Sequence, residues 1–243
     1  MSNDAIGDRM KGYEHAARAA LPRRMPVIVR VDGKAFHTWT RGCERPFDGK
    51  LVDVMNAAAV ALCEEIQGAQ MAYVQSDEIR VLVHNYKRYA SSAWFDNEVQ
   101  KTVSVSASIA AATVTAASPR LFGEVRGAFF DSRVFVLPES EVTNYFIWRQ
   151  QDAVRNSIQM VAQSLYSQRE LHGKNQLALR ELIQAKGQDW DELPTHLKRG
   201  RCVVRETSGE GETMRSRWAV DGEAPMFTAE RAYVERYLAV EPE

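Results

Sequence analysis

Two strand-like segments that each end in an acidic residue constrain the fold of this chain more than any other feature. Residues 27–32 are hydrophobic and β-branched, and they carry the carboxylate of Asp32 into a turn at Gly33. Residues 70–84 alternate as a β-hairpin does, with Asp77 at the tip. Two carboxylates at neighbouring strand ends can hold two divalent metal ions about 4 Å apart for an in-line phosphoryl displacement. The glycine turn adds backbone N–H groups that can bind phosphate oxygens, so the pattern indicates nucleotidyl transfer.

The composition is that of a folded domain without a membrane span. The 243 residues are 45% hydrophobic, which suffices for one full core. No apolar run approaches the roughly 18 residues of a transmembrane helix, and the polar residues 1–4 do not begin a signal peptide. Cys43, Cys63 and Cys202 lack metal-ligand spacing and are typical of free thiols in a reducing compartment. We therefore predict a cytoplasmic protein.

The charge distribution does not identify a partner. The net charge of −1 argues mildly against nucleic acid, but basic residues cluster within 41–45, 87–88 and 198–201. Because salt limits the field of a surface charge to about 10 Å, such a cluster can bind phosphates on a neutral chain. A solvated loop explains each cluster equally well.

Hydrophobic periodicity predicts the order β-α-β-β-α-β-α from residue 27 onward. Strands are expected at 27–32, 70–84 (a hairpin) and 128–137, and helices at 5–20, 51–66, 139–167 and 175–186. Two segments stay undecided: residues 102–117 combine strand-like alternation with an Ala-rich, helix-like half, and residues 205–224 fit a flexible loop or a hairpin. The order predicts one α+β domain over 1–243, whose antiparallel or mixed sheet is covered by helices on one face, with a helical portion at about 140–243. By analogy, this is the arrangement of a polymerase palm.

Five short strings occur along the chain in an order that is typical of one family. They are Arg30-Val-Asp-Gly-Lys-Ala-Phe-His37, Tyr73-Val-Gln-Ser-Asp-Glu78, Phe130-Asp-Ser-Arg133, Trp148-Arg-Gln-Gln-Asp152 and Lys198-Arg-Gly200. Together they resemble the tRNA-His guanylyltransferases and their bacterial, archaeal and phage relatives, the 3′–5′ polymerases. The likeness covers about residues 5–205. One such string is weakly specific, whereas five in the expected order are strongly so.

The resemblance implies a palm-like enzyme that adds nucleotides to the 5′ end of tRNA, opposite in direction to ordinary polymerases. Its relatives activate a 5′-monophosphate with ATP, and the 3′-hydroxyl of GTP or another nucleoside triphosphate then attacks. Two Mg²⁺ ions and a homotetramer built as a dimer of dimers are implied as well.

The resemblance assigns the metal ligands to Asp32, Asp77 and the carbonyl of Gly33, with Glu78 as a further catalytic acid that supports them. Hard oxygen ligands, completed by phosphates, suit Mg²⁺. Each acid has a simpler explanation: Asp32 could be a turn residue before glycine, and Asp77 could be a hairpin-tip residue.

Nucleotide contacts follow from the same resemblance. The triphosphate is expected to lie on the turn formed by Gly33, Lys34, Ala35, Phe36 and His37, with Ser76 beside it. The incoming purine is expected at Asp48, and a second triphosphate or the RNA 5′ end is expected at Lys101, Arg133 and Asn156, with Lys174 also important for activity. Alternatives stay open, because His37 could pack beside Phe36 and Trp39, Ser76 could cap the hairpin, and Asp48 could begin the helix at 51. The lone basic residues could simply be exposed.

One departure bears on the RNA substrate. Eukaryotic-type members carry the string His-Ile-Asn-Asn-Leu-Tyr-Asn on the long helix, where this chain has residues 154–160 and keeps only Asn156. This difference undermines recognition of the tRNA-His anticodon, and it leads us to expect template-directed repair of 5′-truncated tRNA. A nucleotide cyclase with a palm core and a catalytically inactive RNA-binding relative are the alternatives. The basic residues outside the acid pair disfavour the first, and the two intact acids disfavour the second.

Overall fold

Six strands form one antiparallel sheet in the computed structural model, which describes residues 5–86, 91–208 and 215–239. The strands are β1 Val27–Gly33, β2 Ala69–Gln75, β3 Glu78–Val83, β4 Phe130–Val136, β5 Arg201–Ser208 and β6 Arg215–Asp221. Their spatial order is β4-β1-β3-β2-β5-β6. The register places Glu78 of β3 and Asp131 of β4 opposite Asp32 of β1. The predicted α+β class, its antiparallel sheet and the strands before residue 140 are confirmed.

Helices precede, connect and follow these strands. They are α1 Ala5–Ala16, α2 Phe36–Trp39, α3 Gly49–Glu65, α4 Val99–Ala117, α5 Pro119–Phe122, α6 Glu139–Leu165, α7 Gln168–Leu171, α8 Gln176–Ala185, α9 Thr195–Arg199 and α10 Ala232–Glu235. The helices predicted at 51–66, 139–167 and 175–186 are confirmed as α3, α6 and α8. Among the described helices, none has both the length and the apolar character that a membrane span requires.

The undecided segment at 102–117 is helical throughout, as part of α4. Its buried residues, Thr102, Ser106, Ala110 and Val114, recur at every fourth position, which is the spacing of one helix face. The Ser106 hydroxyl donates to the Thr102 carbonyl at 2.7 Å and so satisfies its hydrogen bond within the helix. The alternation of serine with apolar residues therefore does not reflect a strand.

Helices contact both faces of the sheet, whereas the sequence predicted cover on one face. On the first face, Val31 of β1 shares a buried cluster with Met55 of α3. On the second, Ile28 of β1 shares a cluster with Phe146 of α6 and with Phe227 of the C-terminal segment. Because successive side chains of a strand point to opposite faces, the valines of β1 and its Ile28 lie on different faces, and each face needs its own cover.

The C-terminal portion is not purely helical, because it contributes β5 and β6 to the sheet. Of the two alternatives for 205–224, the hairpin is the one observed, with its connecting residues 209–214 outside the described ranges. The turn into β5 depends on Gly200, which has a φ of +77°. A Cβ atom there would lie 2.5 Å from the hydroxyl oxygen of Tyr73, so only glycine fits.

Candidate active site

The acidic residues at the two predicted strand ends lie in adjacent chain segments. Asp32 is the second-to-last residue of β1, and Asp77 lies in the turn between β2 and β3. The backbone N–H of Gly33 donates to the carbonyl of Asp77 at 3.1 Å, which joins the two segments directly. Both side chains are half-buried. The fold therefore brings Asp32 and Asp77 to one end of the sheet, while their role as metal ligands stays a prediction.

The pKa of the Asp77 carboxyl is raised. Burial is the largest cause, and the negative charge of Asp32 adds to it. Hydrogen bonds from the backbone N–H of Asp77 and from the Ser76 side chain oppose the rise. Ionised Asp77 therefore costs folding free energy in the metal-free protein, and a bound cation would relieve this cost.

We expect Asp77→Asn to raise the free energy of unfolding of the metal-free protein near pH 7. The folded pKa lies above the unfolded value, so the folded state takes up a proton first as the pH falls. As the pH falls from the raised pKa to the ordinary value of about 3.9, wild-type Asp77 becomes protonated and no longer destabilises the folded state. The difference in the free energy of unfolding between variant and wild type therefore shrinks. Urea unfolding in EDTA at pH 7 and at pH 4 measures the stability difference and its decrease at low pH. A variant less stable than wild type at pH 7 would contradict this explanation.

Close packing shapes the turn after β1. A Cβ atom at Gly33 would lie 2.3 Å from the ring of Phe36, so the ring approaches the backbone as only glycine permits. Phe36 is buried and stacks on Trp39, with ring centroids 4.8 Å apart. His37 is exposed, so packing beside these rings does not explain it.

The same turn presents free backbone N–H groups. Those of Gly33 and Lys34 already donate to carbonyls of neighbouring loops, at 3.1 and 2.8 Å. Those of Ala35, Phe36 and His37 make no backbone hydrogen bond within the described residues. Successive free N–H groups can bind phosphate oxygens. Within the turn predicted to bind the triphosphate, the N–H groups available for this are those of residues 35–37.

A cavity of about 520 Å³ opens beside Asp77, whereas Asp32 and Glu78 are not among the residues that line it. Its walls come from the 33–37 turn, the β2–β3 turn, the start of α3, the middle of α6 and the segment joining α9 to β5. The predicted site residues that line it are Gly33, Ala35, Phe36, His37, Asp48, Ser76, Asp77 and Asn156. The volume is in the range of small-molecule sites.

The remaining basic candidates do not line this cavity. They are Lys34, Lys101, Arg133 and Lys174, and all four are exposed. Lys101 of α4 lies 3.9 Å from Glu98, and Arg133 of β4 lies 3.8 Å from Asp131. These four side chains are exposed outside the cavity, and their binding of phosphates stays a prediction.

Asp48 begins α3, and it also lines the cavity. Its carboxylate accepts hydrogen bonds from the backbone N–H groups of Glu44, Lys50 and Leu51 at 2.9, 2.9 and 3.1 Å. Burial alone would raise the pKa of Asp48, but these donors outweigh it and lower the pKa. The N-cap explanation is therefore observed, and it leaves an ionised carboxylate facing the cavity.

Three arginines to which the sequence patterns assigned no role surround Glu78. Arg30 lies 3.0 Å from the Glu78 carboxylate, Arg149 lies 3.6 Å from it, and Arg80 forms a close ion pair with it. Arg30 also lies 3.0 Å from Asp32. Glu78 is thus fully ion-paired and suits the supporting role expected for it. Strand alternation could have identified Arg30 and Arg80, because each is two positions from an acid.

Three further residues of the cavity wall also lacked a sequence signal of their own. The Gln75 side chain is 7% exposed, and its Oε1 has no hydrogen-bond partner among the described residues. Burial lowers the pKa of Arg201 to about 10, and burial followed by the Arg201 charge lowers the pKa of His196. Their nearness to the Asp77 turn and to the basic cluster at 198–201 was the available hint.

The oxygen donors at the acid pair fit Mg²⁺ that is bound together with a nucleotide. Asp32, Asp77 and the Gly33 carbonyl supply hard ligands, and the two like charges favour a cation. Across 5–86, 91–208 and 215–239, no three His, Cys, Asp or Glu side chains are arranged to hold a metal ion by themselves. Because Mg²⁺ usually combines one or two carboxylates with waters and phosphates, two carboxylates suffice when phosphates are present.

Paired acids at the end of an antiparallel sheet, free N–H groups beside them and an adjoining cavity define the class of palm-like nucleotidyltransferases. A family model described as Thg1, tRNAHis guanylyltransferase, matches residues 7–138, more than half of the 243 residues. The chain therefore belongs to the tRNA(His) guanylyltransferase family. It is a nucleotidyltransferase that adds nucleotides in the 3′–5′ direction to the 5′ end of tRNA, and the predictions of family and enzyme class are confirmed.

Solved structures and curated relatives agree with this assignment. A bacterial tRNA(His) guanylyltransferase (Thg1)-like protein in complex with ATP is 45% identical, with a TM-score of 0.91, over 97% of this chain and 100% of that chain. One in complex with GTP is 44% identical, with a TM-score of 0.86, over 98% and 100%. The probable tRNA(His) guanylyltransferase of Drosophila melanogaster is 28% identical over 78% of this chain and 70% of its own length.

Proposed function

We propose that this chain is an Mg²⁺-dependent 3′–5′ nucleotidyltransferase that repairs 5′-truncated tRNA by copying the opposite strand of the acceptor stem. The pairing of Asp32 with Asp77 beside the 520 Å³ cavity carries this proposal. The relatives solved with ATP and with GTP support the use of both nucleotides. ATP would activate a 5′-monophosphate, and GTP or another triphosphate would then be added.

Different residues of the chain would have different roles in the reaction. The N–H groups of residues 35–37 would bind triphosphate oxygens, and Asp48 and Asn156, which both line the cavity, would face the rest of the nucleotide. Asp32 and Asp77 would hold Mg²⁺, which stabilises the charge that develops on the transferred phosphoryl group. Arg133, Lys101 and Lys174 lie on the exposed surface, where they would meet the phosphates of the RNA end or of the activating nucleotide.

Base pairing, instead of a protein contact, would select the added nucleotide because α6 offers few side chains for reading RNA. Val154 packs against the buried cluster between α6 and α8. The Ser157 hydroxyl donates to the Lys198 carbonyl at 2.9 Å and accepts from the Trp190 ring N–H at 3.1 Å. Both positions are used inside the protein, whereas Asn156 is exposed towards the cavity.

We expect 5′-truncated tRNAs of different identities to be extended with the template-complementary nucleotide, without a strong preference for tRNA-His. Template pairing needs no dedicated protein contact, so it operates on any acceptor stem. Competition between a truncated non-histidine tRNA and tRNA-His lacking its extra 5′ guanosine measures the ratio of kcat/KM values. The same non-histidine tRNA with its opposite base changed is the matched control, and the added nucleotide should change with it.

A preference for tRNA-His above about 100-fold, or about 2.7 kcal/mol of discrimination, would contradict this proposal. It would mean that side chains of this protein recognise the anticodon or another feature of that tRNA.

We also propose a cytoplasmic homotetramer. Free thiols at Cys43, Cys63 and Cys202 support a reducing compartment. The exposed apolar side chains of α1, namely Ile6, Met10 and Tyr13, follow the spacing of one helix face, and α1 buries no residue of its own. Such a face favours association between copies, which analytical ultracentrifugation measures.

A further inference from the structure

We propose that Arg149 of α6 is a positioning residue that holds Asp32, one of the two acids proposed to bind the metal, in place relative to the cavity. The inference rests on the proposed function, in which Asp32 and Asp77 bind the metal. It gives a role to the string at 148–152, which no part of the proposed chemistry uses.

A continuous chain of polar contacts runs from the cavity to the acid pair through Arg149. It begins at Asn156, which lines the cavity, and ends at Asp32. The successive distances are 3.5 Å from Asn156 Nδ2 to Asp152 Oδ2, 2.7 Å from Asp152 Oδ2 to Arg149 Nη2, 3.6 Å from Arg149 Nη2 to Glu78 Oε2, 3.0 Å from Glu78 Oε1 to Arg30 Nε, and 3.0 Å from Arg30 Nη2 to Asp32 Oδ2.

Burial makes these contacts strong compared with those of surface ion pairs. The side chains of Arg149 and Glu78 are 10% and 9% exposed, and those of Arg30 and Asp152 are 21% and 27% exposed. In such surroundings solvent screens charges weakly, and removal of one partner leaves the other uncompensated. The Trp148 ring covers the Arg149 guanidinium at 4.4 Å and limits its movement further.

Arg149 differs from the other two arginines around Glu78 in where it comes from. Arg30 and Arg80 stand on β1 and β3, the strands adjoining the acids, whereas Arg149 stands on α6, the helix that presents Asn156. Its Nε is buried without a hydrogen-bond partner in the described ranges, a cost that an aliphatic residue at this position would avoid. The guanidinium is therefore directed at Glu78 and Asp152 at the expense of its own hydrogen bonding.

A neighbouring arginine provides a matched control. Arg155 also contacts Asp152, at 3.0 Å. Its substitution removes the same charge from the same helix. It lies on the outer side of the pair with 47% of its side chain exposed, and it makes no ion pair with Glu78 in the described residues. Arg149→Met and Arg155→Met therefore separate the link to Glu78 from a general loss of charge on α6.

The test uses the full chain, RNA addition assays and Mn²⁺ as a metal probe. We expect Arg149→Met to lower kcat by about 10–100-fold, with the KM for the triphosphate within about threefold of wild type, because Asp32 is displaced while the cavity is intact. Mn²⁺ binding in the presence of ATP and without RNA, measured by electron paramagnetic resonance, should weaken by about tenfold. Arg155→Met should change neither quantity by more than about threefold, and Arg149→Lys should recover part of both losses.

Equal effects of Arg149→Met and Arg155→Met on kcat and Mn²⁺ binding would overturn the inference, as would a loss confined to KM. If Arg149→Met does not fold, the comparison of Arg149→Lys with Arg155→Lys decides by the same two readouts. A wild-type protein that binds Mn²⁺ but adds no nucleotide would refute the proposed function alone, because the metal-binding difference between the variants would still test the positioning role.

Discussion

Replacing Asp32 or Asp77 with asparagine is expected to lower the rate of nucleotide addition by at least about three orders of magnitude. Metal ions held by these acids would supply several kcal/mol of charge stabilisation in the transition state, and each 1.36 kcal/mol corresponds to about tenfold in rate. The substitution keeps the size of the side chain and removes one negative charge. Single-turnover addition to a 5′-truncated tRNA at saturating Mg²⁺ and triphosphate measures the effect.

Asp131→Asn is the matched control for this experiment. Asp131 stands opposite Asp32 in the neighbouring strand β4, is exposed and lies outside the cavity. Its substitution removes the same charge from the same end of the sheet, and activity should stay within about threefold of wild type. Activity of Asp32→Asn or Asp77→Asn within tenfold of wild type, in a folded protein whose unfolding midpoint is no lower than that of wild type, would show that the metal site lies elsewhere.

The second large effect is expected at Arg133. Arg133→Ala should reduce addition to RNA that carries a 5′-monophosphate by about 100-fold, and addition to RNA that already carries a 5′-triphosphate by less than about threefold. The physical reason is its position: Arg133 is exposed, lies outside the cavity and makes only a long ion pair of 3.8 Å with Asp131. It is therefore available to bind the phosphates used in activation, a step that a triphosphate end bypasses.

Parallel assays of the two RNA substrates measure this difference as a ratio of kcat/KM values. Lys101→Ala and Lys174→Ala test the same role at the other exposed candidates, and Arg120→Ala, an exposed arginine of α5, controls for general charge. Equal losses on both RNA substrates would mean that Arg133 serves general RNA binding.

The acid pair could be predicted because the signals for it are local. Alternation over 70–84 and the glycine after Asp32 place both acids at strand ends, and this holds for any order of the strands in the sheet. The helical nature of 102–117 could not be decided in the same way. Serine and valine alternate there, and only the burial of Thr102, Ser106 and Ala110 against the sheet shows which period applies.

The sequence by itself determined the strands before residue 140, the positions of Asp32 and Asp77 at their ends, and the family strings, since each depends on neighbouring residues. Only the tertiary structure decided that helices cover both faces of the sheet and that Glu78 lies among three arginines. It also decided that Arg133 and Lys101 stay outside the cavity. These features depend on the antiparallel register and on the packing of α6, which bring together residues that are far apart in the chain. A contact such as that between Arg149 and Glu78 has no local period, so no pattern along the chain predicts it.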